Sequence, residues 1–255
     1  MTSLKLTSRN IALTAIFAAL YFVLSLITPY VPAIGLPELK IQLEALIASV
    51  FGLILGPYLG ALSAFLGAFV TWVLPPGSFK PTSAPFLLSP PINAFIVGLI
   101  FYRKWKAALI VFSTLVAAFL FLPPCQPLFE YYYVAVAVLW DKIIALLLII
   151  PTVKFSRRFS NPEGLPILFF FICFIGNQAD NMWGADIFAV PFVYRDIFQI
   201  PDLSVVRFLF TVSPFIYPAI RLIQAIFGTI IAVPLIRTLK NTGWLYPEKS
   251  IIDQD

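Results

Sequence analysis

The sequence contains no histidine and only two cysteines among its 255 residues. Without an imidazole, the chain cannot form a Ser-His catalytic pair, a histidine metal site or a histidine proton relay. Cys125 lies beside a proline turn and Cys173 inside an apolar run, so they form neither a metal motif nor a disulfide framework. The sequence also lacks a Walker motif, a glycine-rich dinucleotide loop and a nucleophile elbow. We therefore expect no catalytic centre, no metal and no cofactor in this chain.

Charge is scarce as well. Only 11% of the residues are Asp, Glu, Lys or Arg, whereas 60% are hydrophobic, and the mean hydropathy is +0.95. This composition lies far outside that of soluble globular domains and is typical of proteins embedded in a bilayer. Apolar runs recur throughout the chain, and no polar block is long enough to form a separate soluble domain. The sequence predicts a single all-α transmembrane domain over residues 1–255, in a multi-pass protein of the cell membrane.

Eight apolar runs are candidates for transmembrane helices. A span needs roughly 17 to 25 mostly apolar residues, and shorter spans occur where a helix is buried by its neighbours. The runs cover residues 10–28, 42–56, 58–74, 91–102, 106–122, 131–151, 165–184 and 213–236. Because some of them are short, and "GPY" between the second and third allows only a tight hairpin, we expect a bundle of six to eight helices. The first run lacks the small-residue cleavage pattern of a signal peptide and is expected to remain.

The basic residues predict the orientation of the bundle. Eleven of the 17 lysines and arginines would lie on one side of the membrane: Lys5, Arg9, Arg103, Lys104, Lys106, Lys154, Arg157, Arg158, Arg237, Lys240 and Lys249. Since basic loops stay cytoplasmic, both termini are expected in the cytoplasm. The net charge of +5 then reflects orientation and lipid contact, and we expect no nucleic-acid binding. The opposite loops, 28–42, 75–91 and 185–212, are longer, and substrate capture is expected there.

Small residues form stripes on two early helices, and such stripes let helices approach closely. The first stripe contains Ala12, Ala15 and Ala19, and the second contains Gly60, Ala64 and Ala68. Two interpretations remain open for both stripes. They can pack against other helices of this chain, or they can dock the chain on another membrane subunit.

Three stretches resemble a known family. These are "LEALIASVFGLILGPYLGALSAFLGAF" at 43–69, "PPINAFIVGLIFYRK" at 90–104 and "RLIQAIFGTIIAVPLIRTLK" at 221–240. They are similar to helices of the substrate-capture subunits, or S components, of energy-coupling factor (ECF) transporters. The resemblance implies that Ala15 and Ala19 dock on a transmembrane coupling subunit, which works with ABC ATPases. The chain departs from the family's usual six helices by extra apolar segments between residues 120 and 190, so it resembles a distant or enlarged member.

The stretch "GNQADNMWGAD", residues 176–186, places amides and carboxylates where a span should still be running. If the helix that begins near Leu165 continues, Asn177, Asp180, Asn181 and Gly184 share one face. An aspartate inside the membrane is costly and usually faces a cavity or a partner. If the helix instead ends at Gly176, the stretch is an ordinary interfacial loop. Trp183 could stack on a flat ligand or anchor the helix at the interface.

Further polar residues enter the predicted spans. Asp141 and Lys142 are adjacent and diverge by about 100° on a helix, so each is expected to pair with another helix, Lys142 with Asp180 and Asp141 with Arg221. Arg221 and Gln224 could meet an anionic group from outside, or Arg221 could reach the headgroups.

Two more residues stand at the beginnings of predicted helices. Asn93 either caps its helix or turns into the same cavity, with capping the favoured alternative. Glu44 is interpreted as a partner for the dipole of the helix that it opens.

The leading hypothesis for function is the one that the resemblance implies. The chain would be a membrane-embedded subunit that captures a small vitamin-like metabolite and works with an ATPase-driven coupling module. One alternative is an ion-coupled secondary transporter that uses the intramembrane charges. A second is a non-catalytic membrane scaffold. A third, a lipid-modifying metalloenzyme based on Asp180 and Asp186, has no motif to support it.

Overall fold

The computed structural model describes residues 7–28, 31–33, 35–75, 79–159, 161, 163–242 and 249–253. Within these ranges the chain forms eight α-helices: α1 (Ser8–Ile27), α2 (Leu46–Val73), α3 (Ser89–Phe101), α4 (Trp105–Leu120), α5 (Leu128–Lys154), α6 (Leu165–Phe188), α7 (Leu203–Val212) and α8 (Tyr217–Thr242). A small antiparallel hairpin of β1 (Pro32–Ala33) and β2 (Leu36–Lys40) connects α1 to α2.

Six helical segments of the described chain are long and apolar enough to cross a membrane: Ser8–Ile27, Leu43–Val73, Pro81–Phe101, Leu128–Lys154, Leu165–Phe188 and Tyr217–Lys240. Many of their outward side chains are large and apolar, such as Leu147 on α5 and Ile230 on α8. Exposing such side chains carries no free-energy penalty when they contact lipid. The predicted class, an all-α multi-span membrane protein, is confirmed.

Helix α2 folds back on itself at Gly56, which has φ +76° and ψ 179°. These dihedrals are open to glycine, and the next residue, Pro57, cannot donate the helical hydrogen bond. A Cβ placed on Gly60 would lie 2.8 Å from the carbonyl oxygen of Phe51, so the arms 46–55 and 57–73 touch each other near the turn. Tyr102 donates its hydroxyl to the Leu53 carbonyl, at 2.7 Å, which Pro57 leaves without its helical donor. The tight Gly-Pro hairpin predicted between the second and third runs is confirmed.

The second small-residue stripe lies inside this hairpin region. Gly60, Ala64 and Ala68 are all buried in the chain itself. The close approach of the two arms, and of α1 to the second arm, requires small side chains there. Their predicted role as a docking surface is therefore wrong, and the alternative of packing within the chain holds.

The two ends of the bundle differ in chemistry. At one end, here called the basic end, Arg103, Lys154 and Arg157 surround a single cleft. The C-terminal segment 249–253 folds against this end, where Arg103 donates to the Ser250 carbonyl at 3.0 Å and Lys240 pairs with Asp253 at 2.9 Å. Lys5, which the orientation argument also used, lies outside the described residues.

The opposite end, here called the cavity end, holds the connections of α1 to α2, of α2 to α3 and of α6 to α8. There Thr28, which follows α1, donates to the carboxylate of Glu44 at 2.9 Å. Helix α1 therefore begins at the basic end, where α8 finishes.

The segment 185–212, expected to be a loop, is mostly helical. Helix α6 continues to Phe188, a π-helical turn follows at Phe192–Ile197, and α7 begins after Asp202, whose carboxylate accepts from the backbone N–H of Ser204 at 2.8 Å. Phe210 of α7 packs edge-on against Phe119 of α4, with ring centroids 5.2 Å apart. The sequence analysis did not predict α7, because a helix of ten residues is too short to be recognised as a membrane span.

Candidate functional site

Helix α6 carries its polar stretch through the interior of the bundle. The helix is continuous over Leu165–Phe188, so the helical alternative for residues 176–186 is confirmed and the loop alternative is wrong. Asn177 is completely buried and Asp180 is only 3% exposed. Buried polar groups in a membrane protein need partners or a cavity, because lipid offers neither.

A cavity of about 360 Å³ opens beside this face of α6, at the cavity end of the bundle. A volume of a few hundred cubic ångströms suits a small organic ligand. Seven charged or amide residues line its wall: Gln42, Glu44, Lys80, Lys142, Asp180, Asn181 and Arg221. Phe86, Phe188 and Trp72 add aromatic surface. The arrangement offers both hydrogen-bonding groups and flat apolar walls to one ligand.

The intramembrane charges pair differently from the prediction. Lys142 binds its neighbour Asp141, with Nζ 2.9 Å from Oδ1. Arg221 pairs with Asp180, with Nη2 3.6 Å from Oδ1. The expected cross-pairs, Lys142 with Asp180 and Asp141 with Arg221, are wrong. The 100° divergence of adjacent helical positions separates the Cβ atoms, but the four methylenes of a lysine can curl back across that angle.

Arg221 also binds a residue of its own helix, α8, and that residue connects α8 to the segment before α2. Its Nη1 donates to Gln224 at 2.8 Å, and Gln224 donates in turn to the backbone carbonyl of Gln42 at 3.1 Å. Gln42 lines the cavity, so Gln224 supports the wall from behind. This network orients the guanidinium of Arg221 towards α6 and the cavity.

A second network lies beneath the cavity. Asn93 is completely buried, donates to the side-chain oxygen of Asn177 at 2.8 Å and accepts from the hydroxyl of Ser49 at 2.8 Å. Asn93 is the fifth residue of α3, whose N-cap is Leu88, so the favoured expectation that it caps the helix is wrong. Asn177 also donates to the backbone carbonyl of Arg221, at 3.5 Å. The two asparagines therefore join α3, α6 and α8 under the site.

The structure brings part of the predicted set to the cavity wall and leaves the rest behind it. Lys142, Asp180, Asn181 and Arg221 line the cavity. The others do not line the wall. Asp141 binds Lys142, Gln224 binds Arg221, Asn177 donates to the backbone carbonyl of Arg221, and Asn93 binds Asn177. Trp183 is partly buried on α6 and does not line the cavity, and its indole N–H is buried without a hydrogen-bond partner among the described residues. Its stacking role has no support from this placement.

Sequence reasoning missed Glu44 and Trp72. Glu44 is 2% exposed and lies in the cavity wall, so its interpretation as a simple partner of the helix dipole is incomplete. Its signal in the sequence was a carboxylate directly before a long apolar run. Trp72 lines the cavity while its indole N–H donates to the backbone carbonyl of Lys80 at 2.8 Å. A tryptophan at the end of a span looks the same in sequence whether it faces a ligand or the interface.

The first small-residue stripe faces away from the chain. On α1, Thr14, Ala18, Tyr21 and Ser25 are buried against the bundle. Ala12, Ala15 and Ala19 are exposed, together with large apolar neighbours such as Ile16. This face is open to a lipid or to another membrane protein.

The chain matches the model of a known protein family. The family model described as "ECF-type riboflavin transporter, S component" matches residues 5–153, which hold α1 to α5 up to its penultimate residue. The search of curated proteins and the search of solved structures find no match.

Proposed function

Because the chain belongs to the S-component family of ECF-type riboflavin transporters, and so is a membrane-embedded substrate-capture subunit, we propose that it takes up a small, flat, vitamin-like metabolite from outside the cell. As a family member it binds a substrate and is not itself a catalyst. The observation that carries the proposal is the cavity beside Asp180 and Asn181, which combines polar groups with aromatic walls at one end of the bundle.

The orientation of the cavity follows from the basic residues. The basic end holds Arg103, Lys154 and Arg157 and the end of α8. Basic segments remain in the cytoplasm, so this end, with both termini, faces inward and the cavity faces outward. A cavity that opens outward allows a subunit with a single transmembrane domain to bind a dilute substrate from outside the cell.

The pairing of charges bears on the class of ligand. Lys142 is neutralised by Asp141, and Arg221 by Asp180. A ligand without net charge can therefore enter without breaking either pair, and breaking one would leave a buried charge unpaired at a high cost. The name of the matching family refers to riboflavin, which is flat and uncharged, and riboflavin is therefore the first ligand to test.

The binding proposal is tested by titrating the purified protein with riboflavin and following the quenching of its fluorescence. Asn181→Ala should weaken binding about fivefold, the loss expected for one hydrogen bond. Gln199→Ala removes an exposed amide outside the cavity and should leave the affinity unchanged. If both variants bind as the natural protein does, Asn181 does not contact the ligand. If the natural protein binds neither riboflavin nor another flat vitamin, the substrate class is wrong.

We further propose that uptake requires ABC ATPases and a transmembrane coupling subunit, and that the coupling subunit docks on the exposed face of α1 at Ala12, Ala15 and Ala19. Ala15→Trp should prevent assembly of the complex and abolish uptake while riboflavin binding by the isolated subunit persists. Ala117→Trp places the same bulk on an exposed position of α4 and should assemble normally. Uptake that continues without any ATPase would contradict the proposal and favour an ion-coupled transporter.

A further inference from the structure

Three buried polar atoms near the substrate cavity make no hydrogen bond to any described residue. They are the hydroxyl of Tyr21, Oδ2 of Asp180 and Nε of Arg221. The ion pair between Asp180 and Arg221 joins Oδ1 to Nη2, so it leaves the other two atoms unused. Buried polar atoms are nearly always hydrogen-bonded in folded proteins, because an unpaired one costs free energy. Three such atoms beside one cavity therefore indicate that a bound molecule completes them.

Tyr21 lies directly behind the cavity wall. It is 1% exposed and stands one helical turn before Ser25, which lines the cavity. Its side chain packs against Gly67 of α2, where an added Cβ would lie 2.5 Å from the Cβ of Tyr21, and the next residue, Ala68, lines the cavity. The charges of both members of the ion pair act on the hydroxyl. Helix α1 thus contributes a phenol to the same place as the carboxylate and the guanidinium.

Packing alone does not explain a tyrosine at this position. Phenylalanine would fill the same space without burying a hydroxyl. Tyr102 shows the usual arrangement for a buried phenol, since its hydroxyl donates to the carbonyl of Leu53 at 2.7 Å. The hydroxyl of Tyr21 has no such acceptor in the described chain. A hydroxyl that loses water and gains no protein partner is unfavourable unless a ligand supplies the missing bond.

The three unused atoms define the chemistry of their ligand. Tyr21 and Arg221 supply two donors, and Asp180 supplies one acceptor. A planar imide edge, in which one N–H stands between two carbonyl groups, offers the complementary set of one donor and two acceptors. Such an edge is uncharged, so it can bind while Asp180 and Arg221 remain paired.

We propose that Tyr21, Asp180 and Arg221 together bind the imide edge of a flat ligand, which makes Tyr21 a further ligand-binding residue. The ring system of riboflavin carries such an edge. The inference rests on the proposed function and extends it, because it states which edge of the substrate enters first and which atoms receive it.

The test compares riboflavin with 3-methylriboflavin, in which a methyl group replaces the imide hydrogen. Both are titrated by fluorescence against the full chain in detergent. The natural protein should bind riboflavin about tenfold more tightly, because the lost hydrogen bond is to a charged carboxylate. Tyr21→Phe should weaken riboflavin binding about fivefold, the loss of one hydrogen bond, without further weakening the binding of 3-methylriboflavin.

Tyr102→Phe is the matched control. It removes a buried hydroxyl that is bonded within the protein, so it should lower the free energy of unfolding and leave the affinity for riboflavin unchanged. Tyr21→Phe should do the reverse. Its hydroxyl has no partner to lose, so the ligand-free protein should be at least as stable as the natural one.

The outcomes separate this inference from the proposed function. If the natural protein binds riboflavin and Tyr21→Phe binds it equally well, or if both flavins bind the natural protein equally, this inference is overturned and the proposed function is not. An equal loss of affinity for both flavins in Tyr21→Phe would place the hydroxyl at another part of the ligand and would overturn the assignment to the imide. Absence of riboflavin binding by the natural protein would overturn the substrate class and this inference together.

Discussion

The ion pair between Asp180 and Arg221 offers the sharpest test of how the cavity is built. Both side chains are less than 10% exposed, and their charged atoms are 3.6 Å apart. Asp180→Asn keeps the shape of the side chain but leaves the guanidinium of Arg221 without its carboxylate. Breaking a buried pair from one side typically costs about 3 to 5 kcal/mol of stability. Because Arg221 keeps its bond to Gln224, we expect a loss near the lower limit, about 3 kcal/mol.

The double variant Asp180→Asn, Arg221→Gln distinguishes the contribution of the ion pair to stability from the contributions of its two side chains. It removes both charges, so no unpaired charge remains in the bundle, and we expect it to be more stable than Asp180→Asn alone. The two changes should therefore be strongly non-additive, as for residues in direct contact. Riboflavin binding should be weakened in both variants, because both alter the cavity wall.

The free energy of unfolding is measured in mixed micelles for the natural protein, Asp180→Asn, Arg221→Gln and the double variant. Riboflavin binding by the same four proteins is measured by fluorescence titration. Asp196→Asn is the control, since Asp196 pairs with Arg195 on the surface, where such pairs contribute little. If the effects of Asp180→Asn and Arg221→Gln simply add, the two side chains act independently and the argument from a buried pair is refuted. If stability falls as expected but binding is unchanged, the pair is structural and Asp180 leaves the proposed site.

Three further predictions concern the packing and the basic end. Gly98→Ala should destabilise the protein by about 1 to 3 kcal/mol, because the added Cβ would lie 2.5 Å from the backbone nitrogen of Pro57 at the turn of α2. Gly184→Ala, whose Cβ meets no atom closer than 3.9 Å, should not destabilise it, and equilibrium unfolding of both variants tests this difference. Burial opposes the ionisation of Asp253, but its hydrogen bonds and its pairing with Lys240 outweigh burial and lower its pKa. The contribution of this carboxylate is therefore present above about pH 4 and is lost as the pH falls through the lowered pKa, so hydrogen exchange of the C-terminal segment should increase only under acid conditions. Burial also raises the pKa of the Cys125 thiol to about 11, so maleimide should label it at pH 7 only after denaturation, and rapid labelling of the folded protein would contradict the packing around it.

Much of the architecture could be predicted because it depends on local patterns. Apolar runs of spanning length follow from the need to satisfy every backbone hydrogen bond in lipid, and the Gly56–Pro57 break follows from the dihedrals open to these two residues. The polar face of Asn177, Asp180 and Asn181 follows from helical periodicity once the helix is continuous. Each of these features is a property of one segment and needs no knowledge of its neighbours.

The partners across the bundle could not be predicted in the same way. Periodicity specifies which residues share a face, but it does not specify which helix that face meets. For this reason the small-residue stripes of α1 and α2 looked alike, although Ala15 is exposed and Ala64 is buried. For the same reason Asn93 was expected to cap its helix, whereas it binds Asn177 of α6.

By itself, the sequence determined that this is a multi-pass membrane protein without histidine chemistry, with one polar helix face in an apolar chain. Only the tertiary structure decided that Lys142 binds Asp141, that Arg221 binds Asp180, and that Glu44 lines the same cavity as Lys142, Asp180 and Arg221. The physical reason is the range of the interactions. Hydrophobic burial and backbone hydrogen bonding act along each segment, whereas ion pairs and cavity walls depend on distances of a few ångströms between segments far apart in the chain.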